Sequence, residues 1–204
     1  MQPHDFSPPL VAILRGLGPD EAPAVGAALF AAGFRLLEVP LNRPRALEAI
    51  AILARIAPPG ALVGGGTMLQ VEQVEQVFEA GGRLLVEPNC NSGVIRRGVE
   101  LGMLCAPGVA TPTEAFQALD AGAHAIKIFP AEMVGPGGLK AINTVLPPGT
   151  PLWPVGGITS QSMAAWKAAG ASGFGLGGAL YQEGVSPDEI CRRAASFVAA
   201  WHAD

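Results

Sequence analysis

Short apolar runs alternate along the chain with longer segments that mix alanine with polar and charged residues. The runs at 11–14, 35–41, 61–64, 83–87, 103–106, 125–129, 151–155 and 172–176 read as eight strands. Each is followed by a helical or loop segment. Helix starts are marked by proline and acidic residues, as in Pro19-Asp20-Glu21, Pro44, Thr111-Pro112-Thr113-Glu114 and Ser186-Pro187-Asp188-Glu189. Helix stops recur as Ala32-Gly33, Ala80-Gly81, Ala121-Gly122 and Ala169-Gly170, each followed within a few residues by the next apolar run. After the sixth run the helix is expected to begin beyond the glycines at 135–138 and to end at Leu146.

Eight such repeats predict an α/β fold, a single-domain (β/α)8 barrel spanning 1–204, with 1–9 a polar N-terminal segment. The strands are continuously apolar, as parallel strands covered on both faces must be. A chain of 204 residues is close to the lower limit of about 200 for this barrel and leaves no room for a second domain. A doubly wound open sheet is the alternative. It is weakened because Arg15-Gly16-Leu17-Gly18-Pro19, after the first run, does not fit the dinucleotide fingerprint.

Composition narrows the function classes. The formal net charge of −4 is spread out with no basic block, so no nucleic-acid partner is expected. No apolar run is long enough to span a bilayer, and the start of the chain lacks the pattern of a signal peptide, so a cytoplasmic protein with no membrane partner is expected. Cys90, Cys105 and Cys191 fit neither a disulfide framework nor a zinc motif. With the three histidines they make no plausible metal set, and His124 reads as structural.

The chemistry is carried by charges in apolar runs. Lys127 stands in the sixth run between Ile126 and Ile128, and Glu38 in the second between Leu37 and Val39. A buried lysine reaches its neutral, nucleophilic form more easily, which is what a Schiff-base lysine needs. The competing reading is an internal ion pair that only stabilises the interior. Arg15, Thr67 and Asn89 fall at or after strand ends, where such a barrel keeps its chemistry. Gly156-Gly157 and Gly177-Gly178 follow the seventh and eighth strands, the places where this fold binds phosphate. Glu87 faces either the site or the helices and is left outside the mechanism.

These residues resemble a known family. Ala12-Ile13-Leu14-Arg15-Gly16, Leu37-Glu38-Val39-Pro40-Leu41-Asn42, Gly64-Gly65-Gly66-Thr67, Glu87-Pro88-Asn89, Ile126-Lys127-Ile128-Phe129-Pro130 and Val155-Gly156-Gly157-Ile158-Thr159 are similar to motifs of the 2-keto-3-deoxy-6-phosphogluconate/6-phosphogalactonate aldolases. Members of that family are class I pyruvate aldolases on a (β/α)8 barrel. The resemblance implies Lys127 as Schiff-base nucleophile and Glu38 as general acid/base acting through a water. It implies Arg15 and Thr67 at the carboxylate end and the catalytic water, and Gly156, Gly157, Gly177 and Gly178 at the phosphate. The substrate would be a phosphorylated keto acid, with no cofactor, no metal and a homotrimeric assembly. Asn42, Pro88-Asn89 and Val155 resemble the phosphogalactonate branch; an apolar Val155 cannot hydrogen-bond the C4 hydroxyl, as a threonine there would. Gly177-Gly178 departs from the family, which commonly has Gly-Ser at this place. The rival readings are the same cleavage on the 6-phosphogluconate epimer, a phosphosugar isomerase or epimerase, which needs paired carboxylates or metal-binding histidines, and a non-catalytic phosphate-binding barrel.

Overall fold

An apolar run with no polar face has to be covered on both sides, and these runs are. The computed structural model describes residues 2–203; Met1 and Asp204, the two ends of the expected domain, lie outside the described residues. The strands are β1 (Leu10–Ile13), β2 (Leu36–Pro40), β3 (Leu62–Gly66), β4 (Leu84–Val86), β5 (Leu104–Ala106), β6 (Gly108–Val109), β7 (Ile126–Ile128), β8 (Leu152–Pro154) and β9 (Phe174–Leu176). Between and after them come α1 (Ala22–Ala31), α2 (Ala46–Ile56), α3 (Val71–Glu79), α4 (Ser92–Glu100), α5 (Pro112–Asp120), α6 (Ala131–Asn143), α7 (Met163–Ala169) and α8 (Pro187–His202). This is an α/β fold with parallel strands and, among the described residues, eight α-helices.

The predicted stops and caps are used. Gly33 and Gly122 take φ of 98° and 95°, a left-handed backbone that suits glycine at the end of a helix. Thr111 caps α5 by accepting from the Glu114 N–H, and the Glu114 carboxylate accepts from the Ala110 and Thr111 N–H groups. Ser186 caps α8 by accepting from the Glu189 N–H. Each such cap contributes about 1 kcal/mol.

The strands pair in two sheets, in the orders β5-β4-β3-β2-β1-β9 and β6-β7-β8. The expected fifth strand is β5 and ends before Pro107 as read, but the two residues beyond it form a further short strand, β6, in the second sheet. Proline has no N–H for a ladder, and here its carbonyl turns to the next strand, accepting from the Lys127 N–H at 2.9 Å. At the far seam, Val155 and Gly175 form an isolated parallel bridge, and the Ser172 N–H donates to the Leu152 carbonyl at 3.0 Å.

The two faces of the strands have separate cores. Leu10, Ala12, Leu37, Val39, Val63, Leu85, Cys105, Ile126, Ile128 and Leu152 pack with the helices. Val11, Ile13, Leu36, Leu62, Leu84, Val86, Leu104, Ala106, Ala125, Trp153 and Val155 form the inner cluster. Period-2 alternation accounts for the division. Phe6, from the N-terminal segment, is buried in the inner cluster beside them. Burying a leucine in either layer contributes about 1.5–3 kcal/mol.

One helix starts earlier than expected. The segment after β7 is helical from Ala131, breaks at Gly135 (φ 69°, ψ 165°), and resumes with Pro136 to end at Asn143. Glycine and proline at 135–138 mark a kink within this element.

Candidate active site

Glu38 and Lys127 both sit at inward positions, each two residues further along its strand than an inner-cluster residue, Leu36 and Ala125. Glu38 is 2% exposed and Lys127 5%. Gly66, on the neighbouring β3, explains how a carboxyl fits there. A methyl at Gly66 would overlap the Glu38 carboxyl and lie 2.9 Å from the Val86 carbonyl oxygen. Lys127 is registered with Gly108 on one side and Trp153 on the other. Its Nζ stands 4.9 Å from the centroid of the Phe129 ring, a cation–π contact with the aromatic residue that follows β7.

Burial sets the protonation states. It raises the Glu38 carboxyl from 4.5 to about 7, against the opposing pull of the Lys127 and Arg15 charges. It lowers the Lys127 ammonium below its ordinary value, with Glu38 and then Glu87 opposing and Arg15 assisting. Glu38 Oε2 has no hydrogen-bond partner in its buried position. A carboxyl that changes charge near neutrality, next to an amine whose neutral form is favoured, is equipped to move protons and form a carbon–nitrogen bond.

Beside this pair lies a cavity of about 640 Å³. Ile13, Phe129 and Val155 are shared between its wall and the inner cluster or its packed neighbours, so the cavity adjoins the space that holds Lys127. Arg15, Gly156, Gly157, Gly177 and Gly178 also line it. Gly156 and Gly157 take φ of 116° and 61°, a turn that glycine makes without strain. Among the described residues no group of three or more His, Cys, Asp or Glu side chains is arranged to hold a metal.

The family model for KDPG and KHG aldolases matches residues 7–190. The chain belongs to that family. Among its relatives, a protein of Rhizobium meliloti (strain 1021) named as a probable 2-dehydro-3-deoxy-6-phosphogalactonate aldolase is 45% identical over 195 residues, 96% of this chain and 92% of that one. The 2-dehydro-3-deoxy-6-phosphogalactonate aldolase of Escherichia coli (strain K12) is 47% identical over 193 residues, 95% of this chain and 94% of that one. A solved structure described as native KDPGal superposes with a TM-score of 0.92 at 47% identity, covering 95% of this chain and 94% of the other.

Within this member of the family, the residues singled out from sequence fall in two groups. Arg15, Val155 and the four glycines share the cavity wall. Glu38 and Lys127 lie in the buried space next to it. Thr67 follows Gly66 with a φ of 56°, is half-buried and is not part of the wall; Asn89 is exposed and also lies off it. His124 accepts from the Cys105 N–H through Nδ1 at 3.1 Å, tying β7's approach to β5. Sequence reasoning missed Arg43 and Glu183 and gave no role to Phe129 and Thr159, all on the wall. Arg43 carried a signal, being a charged residue one step past Asn42 in the loop after β2, where such folds keep ligand contacts.

Proposed function

We propose that this chain is a class I aldolase that cleaves 2-dehydro-3-deoxy-6-phosphogalactonate to pyruvate and glyceraldehyde 3-phosphate. The observation that carries the reading is the buried Lys127–Glu38 pair beside a cavity lined by two glycine pairs. The relatives' names and their coverage of the chain support the substrate. Val155, apolar and on the cavity wall, supports the same branch.

The neutral Lys127 amine attacks the C2 ketone; water leaves, and a protonated imine forms. Glu38, ionised and working through a water, takes the proton of the C4 hydroxyl. The C3–C4 bond breaks, its electrons move into the imine to give an enamine, and glyceraldehyde 3-phosphate departs as the aldehyde. Glu38 returns a proton to C3, and hydrolysis of the imine releases pyruvate and the free amine. Arg15 holds the substrate carboxylate electrostatically, Thr67 the catalytic water, and Gly156, Gly157, Gly177 and Gly178 receive the phosphate through backbone N–H groups. The imine supplies the electron sink, so the mechanism calls for no metal and no cofactor.

The reading includes a single-domain, closed (β/α)8 barrel over 1–204. The Val155–Gly175 bridge, the Ser172-to-Leu152 hydrogen bond and the passage of one chain through β5 and β6 support closure. It also includes a cytoplasmic homotrimer, in keeping with the family. Met133 and Val145, 70% and 54% exposed, line a shallow apolar groove between α6 and the start of α5 that an interface between copies would cover.

Borohydride added with pyruvate tests the function. The expected result is a covalent pyruvate adduct on the Lys127 peptide by mass spectrometry; an unmodified peptide would sink the imine mechanism. Turnover of the galactonate-derived substrate, assayed beside its C4 epimer, tests the substrate.

A further inference from the structure

Three charged-type side chains are fully buried among the described residues: Glu38, Lys127 and Glu87. The mechanism uses two of them. Glu87 is 1% exposed, and neither of its carboxyl oxygens has a hydrogen-bond partner. An ionised carboxylate there would give up its hydration for little in return, the nearby Met68 N–H and the Lys127 charge being outweighed by burial, so the group rests as a neutral acid.

Its place in the chain puts it between the other two. Val86 is registered with Gly66, the residue over which the Glu38 carboxyl packs. The Glu87 N–H donates to the Ala106 carbonyl at 3.2 Å, and the next carbonyl, that of Pro107, accepts the Lys127 N–H. Gly108 is registered with Lys127, and a methyl on Gly108 would lie 2.7 Å from the Glu87 carbonyl oxygen. Val86 belongs to the inner cluster, so alternation turns the Glu87 side chain to the helix side of the strand, with Leu85 and Cys105. Glu87 thus stands behind the strand that separates Glu38's packing surface from Lys127.

The charges facing these groups are few. Burial first, and the Glu38 charge second, push the Glu87 carboxyl well above its ordinary range, against the pull of Lys127 and then of the Met68 backbone N–H. Lys127 senses Glu38, Glu87 and Arg15. Glu38 senses Lys127 and Arg15. On β5 the facing titratable group is the Cys105 thiol, which burial and Glu87 push up to about 12, so it stays neutral throughout.

We propose that Glu87 is a positioning residue of the Lys127 centre: a second carboxyl, neutral at rest, whose ionisation is coupled to loss of the Lys127 ammonium proton and so delays the free amine to higher pH. At rest, Glu38 is then the single working carboxylate. As the pH rises, Glu87 releases its proton to solvent, and the negative charge it acquires holds the Lys127 proton in place. The two groups titrate as a pair. The inference rests on Lys127 being the imine-forming lysine.

The test is borohydride trapping with pyruvate across pH, read on the Lys127 peptide, in the wild type, Glu87→Gln and Glu87→Asp. Glutamine copies the neutral acid, so Glu87→Gln is expected to trap, with its half-maximal pH lower than wild type by about half a unit or more. Glu87→Asp, which keeps the ionisation, is expected to follow the wild type. Coincident wild-type and Glu87→Gln profiles, or a shift of Glu87→Gln to the alkaline side, would overturn the inference. Absence of trapping in the wild type would instead overturn the imine reading itself. A second measurement covers a Glu87→Gln chain that fails to fold. Difference infrared spectra of folded Glu38→Gln are expected to keep a protonated-carboxyl band above neutral pH, and a band already lost at neutral pH would overturn the proposal.

Discussion

Along β2 and β7 the same inward face does two different jobs two residues apart. Leu36 and Ala125 belong to an apolar inner cluster that also holds Phe6. Glu38 and Lys127, the next inward positions, are as deeply buried but polar. Burial at the first pair of positions stabilises the fold by excluding water. At the second pair it shifts protonation, raising Glu38 to about 7 and lowering Lys127. The physical cause is the same, and the chemistry of the side chain decides whether it yields stability or reactivity.

The largest effect is expected at Lys127. Lys127→Ala is expected to lower turnover by at least about 10³-fold, with the fold retained by circular dichroism. An internal ion pair with no chemical role predicts lost stability and retained turnover instead. Glu38→Gln is expected to slow proton exchange at pyruvate C3 by about 10²- to 10³-fold while borohydride trapping survives. In the wild type that exchange should fall off as the pH drops through about 7, because the base must be ionised. The same shift has a stability counterpart. The folded-state value lies above the ordinary 4.5, so Glu38's contribution is present below about 4.5 and lost as the pH rises through about 7. Glu38→Gln should remove that loss, and thermal unfolding at several pH values would show it.

Gly66→Ala adds a single methyl under the Glu38 carboxyl. It should cost about 10²-fold in kcat through misplacement of that group, while trapping at Lys127 continues. Val155→Thr adds a hydroxyl on the cavity wall, and the ratio of kcat/KM for the two C4 epimers is expected to move by about tenfold toward the gluconate form. Leu36→Ala, at the apolar position preceding Glu38, should cost about 2–5 kcal/mol of stability by denaturant unfolding. Its kcat per folded molecule should stay within about twofold. A large loss of kcat there would mean that the two positions are not separable.

Much of this was legible because the signals were local. Alanine–glycine stops punctuate the chain at Gly33, Gly81, Gly122 and Gly170, and the strands between them are continuously apolar. Glu38 and Lys127 stood out because nothing else charged interrupts an apolar core stretch so sharply. The stop at Pro107 was legible, but the short strand β6 after it was not, because Gly108–Val109 carries no period of its own and only its pairing with β7 reveals it. The start of α6 was hidden by Gly135, Pro136, Gly137 and Gly138, which read as a loop and act as a kink. Arg43 and Glu183 reach the cavity from loops, where no periodicity reports direction. Glu87 lies just past the end of β4, and its side was decided by Val86 facing inward.

Cys105 gives the region beneath Lys127 a built-in reporter. Its thiol is buried on the helix side of β5, pushed up to about 12, and adjacent to the segment whose Pro107 carbonyl holds the Lys127 backbone. Alkylating reagents need a thiolate with an open approach, which the closed protein denies at this position. Exposed Cys191 would be modified in the native state. Slow modification at Cys105 would then time the opening of the strand on which Lys127 leans.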